Sequence, residues 1–184
     1  AITFPLLDRH GALTVIEFDR DLIAPLTAAS KAHGELTIVH SDVLEVDFTA
    51  LAAAMQPADD THAPGPHAPG QIRLVGNLPY NLSSPILFHA LDHAAAIRDM
   101  HFMLQKEVVD RMAAGPGSKV YGRLGVMLQA YCHVTPLFDV PPLAFRPPPK
   151  VDSAVVRLVP RAPDTIGIDD PELGPVFDAA ARLK

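Results

Sequence analysis

The chain has 184 residues, 48% of them hydrophobic, with a formal net charge of −6; this is enough to bury one substantial core and the start of something smaller. Its single cysteine, Cys132, excludes an internal disulfide framework and reads as a small buried hydrophobe. No apolar run approaches the ~18 residues needed to span a bilayer and no signal-peptide pattern is seen, so the expected compartment is the cytoplasm.

The sequence opens inside a helix-like stretch and then alternates. Two short apolar runs end in acids, Leu13-Thr-Val-Ile-Glu17 and Leu36-Thr-Ile-Val-His-Ser-Asp42. Each precedes a helix-like segment, about Asp21 to Ala32 and about Phe48 to Met55, which predicts a parallel sheet covered on both faces. Asp59 to Gly70 is rich in Pro, Gly and His and too poor in large apolar residues to pack, so it reads as a surface loop. A third β-branched run, Gln71-Ile-Arg-Leu-Val75, leads directly into Gly76-Asn-Leu-Pro-Tyr-Asn81.

Asn77 to Tyr80 carry the most chemical information. An exocyclic amine on a nucleobase has its lone pair delocalised into the ring, so methylating it requires acceptors for its N–H groups. The Asn77 side-chain carbonyl supplies one. The backbone carbonyl of Leu78 supplies a second, because Pro79 cannot continue a regular strand, and the Tyr80 ring offers a face for stacking. Taken alone, the tetrapeptide reads equally well as a strand ending in a turn. In a parallel sheet, however, ligands bind outside the carboxyl ends of the strands, where Glu17, Asp42 and Asn77 all fall. Each acid by itself also reads as a solvated residue or a helix N-cap; their common placement points to one crevice. An acid at the end of the second strand binds ribose hydroxyls about 20 residues after a Gly-rich turn. The first strand and its Gly-rich loop are therefore expected before Ala1.

Further along, Ser83-Ser84-Pro85 reads as a helix N-cap followed by Pro at the first helical position. Asp99 to Gln105 reads as a core strand in which Phe102 and Met103 pack. His133 to Val140 and Val151 to Val159 read as two strands joined by a Pro-rich link. His62 with His67, and His89 with His93, lack the Cys or Glu companions of a metal-site pattern, so no metal is expected.

Five stretches together resemble a known family: Val15 to Leu22, Gly76 to Asn81, Met100 to Val108, Ala114 to Leu124 and Phe145 to Arg157. They are similar to the bacterial 16S (small-subunit) ribosomal RNA dimethyladenosine transferases, the kasugamycin-sensitivity methyltransferases, over nearly the whole chain to about Pro160. The resemblance implies an α/β fold, the Rossmann-like class I methyltransferase core, over residues 1–160, with 161–184 starting a C-terminal helical domain. It implies S-adenosylmethionine as methyl donor and two adjacent N6,N6-dimethyladenosines near the 3′ end of 16S ribosomal RNA as products. Glu17 then corresponds to the ribose-binding acid, Asp42 to the residue reading the cofactor's adenine amine, and Asn77 to the residue touching both methionyl moiety and target amine. Leu78, Pro79 and Tyr80 complete the catalytic loop, and Phe145 corresponds to a second aromatic over the flipped base. The last two strands become the antiparallel pair that ends such a sheet. The family's Gly-rich loop and its basic Gln-Arg-Arg-Lys stretch are not among these residues, so a core truncated at its N-terminus and a largely absent helical domain are expected.

The negative net charge is uneven. Residues 101–161 carry 8 Lys and Arg against 4 Asp and Glu. Lys106, Arg111, Lys119, Arg123, Arg146, Lys150 and Arg157 accompany the loop at 115–118 and the Pro-rich run at 141–149. Lys119, Arg123 and Lys150 are the candidates for holding RNA phosphates, although any one of them also reads as ordinary solvated surface. The expected partner is 16S ribosomal RNA in the small subunit or its precursor, met by a monomer with no membrane association. Two rivals remain: a 23S ribosomal RNA adenine N6-methyltransferase of the macrolide-resistance type, and a ribosome-assembly binding factor without essential turnover.

Overall fold

The computed structural model describes residues 2–55 and 70–161, which fall into two compact units, one ending at Asp47 and the other beginning at Phe48. The expected loop at 59–70, except for Gly70, and the expected start of a helical domain at 161–184, except for Arg161, lie outside the described residues.

In the first unit, helix α1 (Thr3–His10) leads into strand β1 (Ala12–Glu17), helix α2 (Arg20–Ser30) and strand β2 (Glu35–His40). The two strands pair in parallel, with Ala12 opposite Glu35 and Glu17 opposite His40. Gly11 ends α1 at φ 77°, its N–H donating to the Leu7 carbonyl at 2.8 Å, a helix stop that a residue without Cβ makes easily. Asp19 caps α2 by accepting from the Asp21 N–H at 2.9 Å, satisfying one of the donors that a helix start leaves without a partner. Leu7 is fully buried.

The second unit contains α3 (Phe48–Ala54), β3 (Ile72–Asn77), α4 (Ser83–Asp92), β4 (Ile97–Gln105), α5 (Lys106–Ala113), α6 (Arg123–Tyr131), β5 (Cys132–Val140) and β6 (Ser153–Pro160). Its sheet runs β3–β4–β6–β5, with β3 parallel to β4 and both contacts of β6 antiparallel. The antiparallel pair implied by the resemblance is therefore present. Strand β4 is central: Met100, Phe102 and Leu104 are buried from it and Val156 and Leu158 from its neighbour β6, which is the packing role read for Phe102. Strand β5 lies at the edge, where Pro136, lacking an N–H, is tolerated beside an irregular register step. Cys132 is fully buried and burial pushes its thiol up to about 12, which makes it an inert core residue.

One helix start differs from the sequence reading. Helix α4 begins at Ser83, with Leu82 as its cap residue and no side-chain cap bond. Pro85 is thus the third helical residue, where its missing N–H still falls among the donors that have no intrahelical partner. Ser83 Oγ donates to the Tyr80 carbonyl at 3.1 Å, so this serine holds the preceding loop instead of capping the helix.

Candidate active site

Strand β3 carries the Asn-Leu-Pro-Tyr loop at its carboxyl end. Asn77 is the last residue of the strand, opposite Met103 of β4. The Leu78 N–H then donates to the Met103 carbonyl at 3.2 Å, and the Leu82 N–H donates to the Pro79 carbonyl at 3.0 Å. The loop is consequently stitched to β4 at its entrance and closed as a turn before α4. Asn77 is exposed, and among the described residues its side-chain amide and the Leu78 carbonyl make no hydrogen bond. Two acceptors are therefore free in adjacent residues. Tyr80 is 40% exposed, and its hydroxyl lies 3.2 Å from Ser153 Oγ at the start of β6.

Glu17 and Asp42 belong to the first unit. Glu17 ends β1, and Asp42 follows β2 by two residues, so both stand at the carboxyl ends of adjacent parallel strands. Both also have local work: Glu17 Oε1 accepts from the Asp19 N–H at 2.8 Å, and Asp42 Oδ1 accepts from the Leu44 N–H at 2.9 Å. The second carboxylate oxygen of each is without a hydrogen-bond partner among the described residues, and both side chains are partly accessible.

The basic residues sort into two groups. Lys106 pairs with Asp110 and Asp139 at 3.3 and 3.2 Å, Arg111 pairs with Glu107, and Arg157 reaches Asp99 at 3.2 Å. Lys119, Arg123, Arg146 and Lys150 are exposed and make no ion pair among the described residues. Lys119 and Arg123 line one pocket together with Arg111 at the start of α6; Lys150 is not part of it. Phe145, half-buried, follows a 3-10 turn over Pro142–Ala144 in the link between β5 and β6. His89 and His93 pack on each other at 5.1 Å between ring centroids and against Phe48.

Three groups that hold this loop escape inspection of the sequence: Ser153, Ser83 and the Met103 carbonyl. Ser153 is separated from Tyr80 by 73 positions, and nothing local in Val-Asp-Ser-Ala announces the contact.

Alternating strands and helices with the Asn-Leu-Pro-Tyr loop at a parallel strand's end define a Rossmann-like methyltransferase core. The family model described as "Ribosomal RNA adenine dimethylase" matches residues 1–172, and the chain belongs to that family. It is 74% identical over 170 residues to the ribosomal RNA small subunit methyltransferase A of Xanthomonas euvesicatoria pv. vesicatoria (strain 85-10), and 75% identical over 170 residues to that of Xanthomonas axonopodis pv. citri (strain 306). Each match covers 92% of this chain and 59% of the relative, so the chain spans about three fifths of these relatives' length. Among solved structures it is similar to a dimethyladenosine transferase from Plasmodium falciparum, with TM-score 0.67 and 26% identity over 87% of this chain and 52% of that one. The 23S rRNA methyltransferase ErmE matches with TM-score 0.67 and 27% identity over 88% of this chain and 57% of that one.

Proposed function

We propose that this chain is the catalytic core of an S-adenosylmethionine-dependent enzyme that dimethylates the N6 amines of two adjacent adenosines near the 3′ end of 16S ribosomal RNA. The small subunit or its precursor is the substrate, met by a monomer in the cytoplasm. The observation that carries this reading is the pair of free acceptors at Asn77 and Leu78, held at a strand end in the same loop as the partly exposed Tyr80. These groups fit an aromatic amine: two acceptors take its N–H groups and the ring stacks on the base.

The carboxylates fit the donor. Glu17 keeps one oxygen for ribose hydroxyls and Asp42 keeps one for an adenine amine, both at strand ends where nucleotides bind in such sheets. When bound, S-adenosylmethionine supplies a methyl group made electrophilic by its sulfonium. The chain's contribution is placement, since holding a nucleophile in line at near-attack distance supplies much of a rate without a strong base. Asn77 and the Leu78 carbonyl orient the amine, Tyr80 and Phe145 hold the base outside its stack, and Lys119, Arg123 and Lys150 hold neighbouring phosphates. The amine proton leaves to solvent after transfer.

Relatives named for the small subunit at 74–75% identity support this substrate over the 23S alternative, whose structural relative is 27% identical. The free Asn77 amide supports turnover over a binding role alone. Small subunits lacking the two dimethylations, mixed with large subunits and incubated with the full-length protein and methyl-labelled S-adenosylmethionine, test the reading. Label is expected as N6,N6-dimethyladenosine in 16S RNA; label confined to 23S RNA, or none above background, overturns it.

A further inference from the structure

Ser153 is fully buried, although its hydroxyl is polar. It opens β6 and is flanked on both sides, opposite Gln105 of β4 and Val140 of β5. The residue before it accepts, through the Asp152 carbonyl, from the Lys106 N–H at 2.9 Å. Paired on both sides, the Ser153 backbone is a fixed point from which its short side chain projects. Its Oγ lies 3.2 Å from the hydroxyl of Tyr80. Tyr80 is therefore held at both ends: its carbonyl accepts from Ser83 Oγ at 3.1 Å, and its phenol meets Ser153. The residue as a whole stays 40% exposed.

We propose that Ser153 is a positioning residue that fixes the direction of the Tyr80 side chain, and so the place of its ring, before substrate arrives. The proposal rests on the reading of Tyr80 as the stacking surface for the target base. An unanchored tyrosine on a loop samples several side-chain directions, and only one places its ring where the base would stack. A hydrogen bond to a buried, ladder-fixed partner removes that search in advance, so the ordering is not charged to base capture. A hydroxyl partner suits the task. It accepts or donates as the phenol requires, adds no charge beside an aromatic face, and satisfies its own buried oxygen in the same contact.

The test uses Tyr80→Phe, Ser153→Ala and their double variant in the full-length protein, with Tyr80→Ala as reference. Tyr80→Phe keeps the stacking face and removes only the anchor. Each single change is expected to lower kcat/KM for small-subunit RNA on the order of 3–10-fold, the scale of one neutral hydrogen bond, with half-saturation by S-adenosylmethionine unchanged. The double variant should be no worse than the poorer single, because both remove the same bond. With 3-fluorotyrosine incorporated, the fluorine resonance assigned to Tyr80 by its loss in Tyr80→Phe should shift or broaden in Ser153→Ala while the other tyrosine resonances hold. A wild-type rate in Tyr80→Phe, additive losses in the double variant, or an unmoved Tyr80 resonance in Ser153→Ala overturns the positioning role. Full activity in Tyr80→Ala instead removes the base-stacking reading beneath it, so the two failures are told apart.

Discussion

Asn77 ends β3 with an exposed side chain that makes no internal hydrogen bond among the described residues, an arrangement that adds nothing evident to folding. Asn77→Ala is therefore expected to lower methyl transfer on the order of 100-fold or more, as loss of one positioned polar group in an active site does. RNA affinity and thermal stability should hardly change, and methylation of small subunits at the wild-type rate would remove the loop from the chemistry. Asp99 is the opposite kind of residue, fully buried and bound by Arg73 through Nε at 2.5 Å and Nη2 at 2.8 Å, with Arg157 at 3.2 Å. Burial alone would raise its carboxyl, but the hydrogen bond and charge of Arg73, with His101 and Arg157, hold it below the ordinary range. His101 is lowered by burial first, and Arg73 and Arg157 add to that against the pull of Asp99. In both cases the folded state binds fewer protons than the unfolded chain, so stability rises with pH across each interval. The Asp99 contribution is present above about pH 4 and lost as pH falls through its folded value; the cost of keeping His101 neutral grows as pH drops below about 6.5. Urea midpoints measured from pH 7 to 3 should fall in both intervals. His101→Gln should reduce the upper loss and leave the lower one; an unchanged upper loss would show that His101 does not contribute to it.

At the scale of elements, strand runs and helix periodicity were legible because they depend on neighbours a few residues apart. The expected Leu13 to Glu17 became Ala12–Glu17, and Phe48 to Met55 became Phe48–Ala54. The Ser83-Ser84-Pro85 start was misplaced because Pro is acceptable anywhere in a first turn and does not by itself mark the first residue. Asn77 to Tyr80 stand out in the sequence as a candidate site because the motif is contiguous, and the structure places them in one loop at the end of β3. The contacts that fix them, Met103 to Leu78 and Ser153 to Tyr80, come from strands distant in sequence and could only be seen in the fold. A similar long-range contact governs the turn before β2. Gly34 has φ +147°, and a Cβ there would overlap the Gly11 carbonyl oxygen, the same oxygen that accepts from the Glu35 N–H at 2.8 Å. Gly34→Ala should destabilise the protein on the order of 1–3 kcal/mol through backbone strain and displacement of that carbonyl. Denaturant unfolding measures it, and an unchanged midpoint would mean that the turn relaxes freely.

At the scale of the chain, the charge of −6 would repel RNA if it were evenly spread, so the proposed capture of RNA requires a local field. Ion pairing decides where that field lies. Lys106, Arg111 and Arg157 have their charge offset by acids of the same unit, whereas Lys119, Arg123 and Lys150 are exposed and without such partners among the described residues. Stacking on Tyr80 and phosphate contact at these cations obey different laws. Stacking is worth roughly 1–3 kcal/mol per base and depends little on salt, while each phosphate neutralised adds about 0.7–0.9 to the slope of log affinity against log salt. Tyr80→Ala should impair turnover with the salt slope intact. Lys119→Ala combined with Arg123→Ala should flatten the slope by about 1.4–1.8, with methyl transfer still measurable at saturating small subunits. The pair is chosen because the two residues line one pocket at the start of α6, where the remaining cation, Arg111, is already paired with Glu107. A double variant with an unchanged slope would take this face out of the RNA path and leave Arg146 and Lys150, on the link between β5 and β6, as the next pair to test.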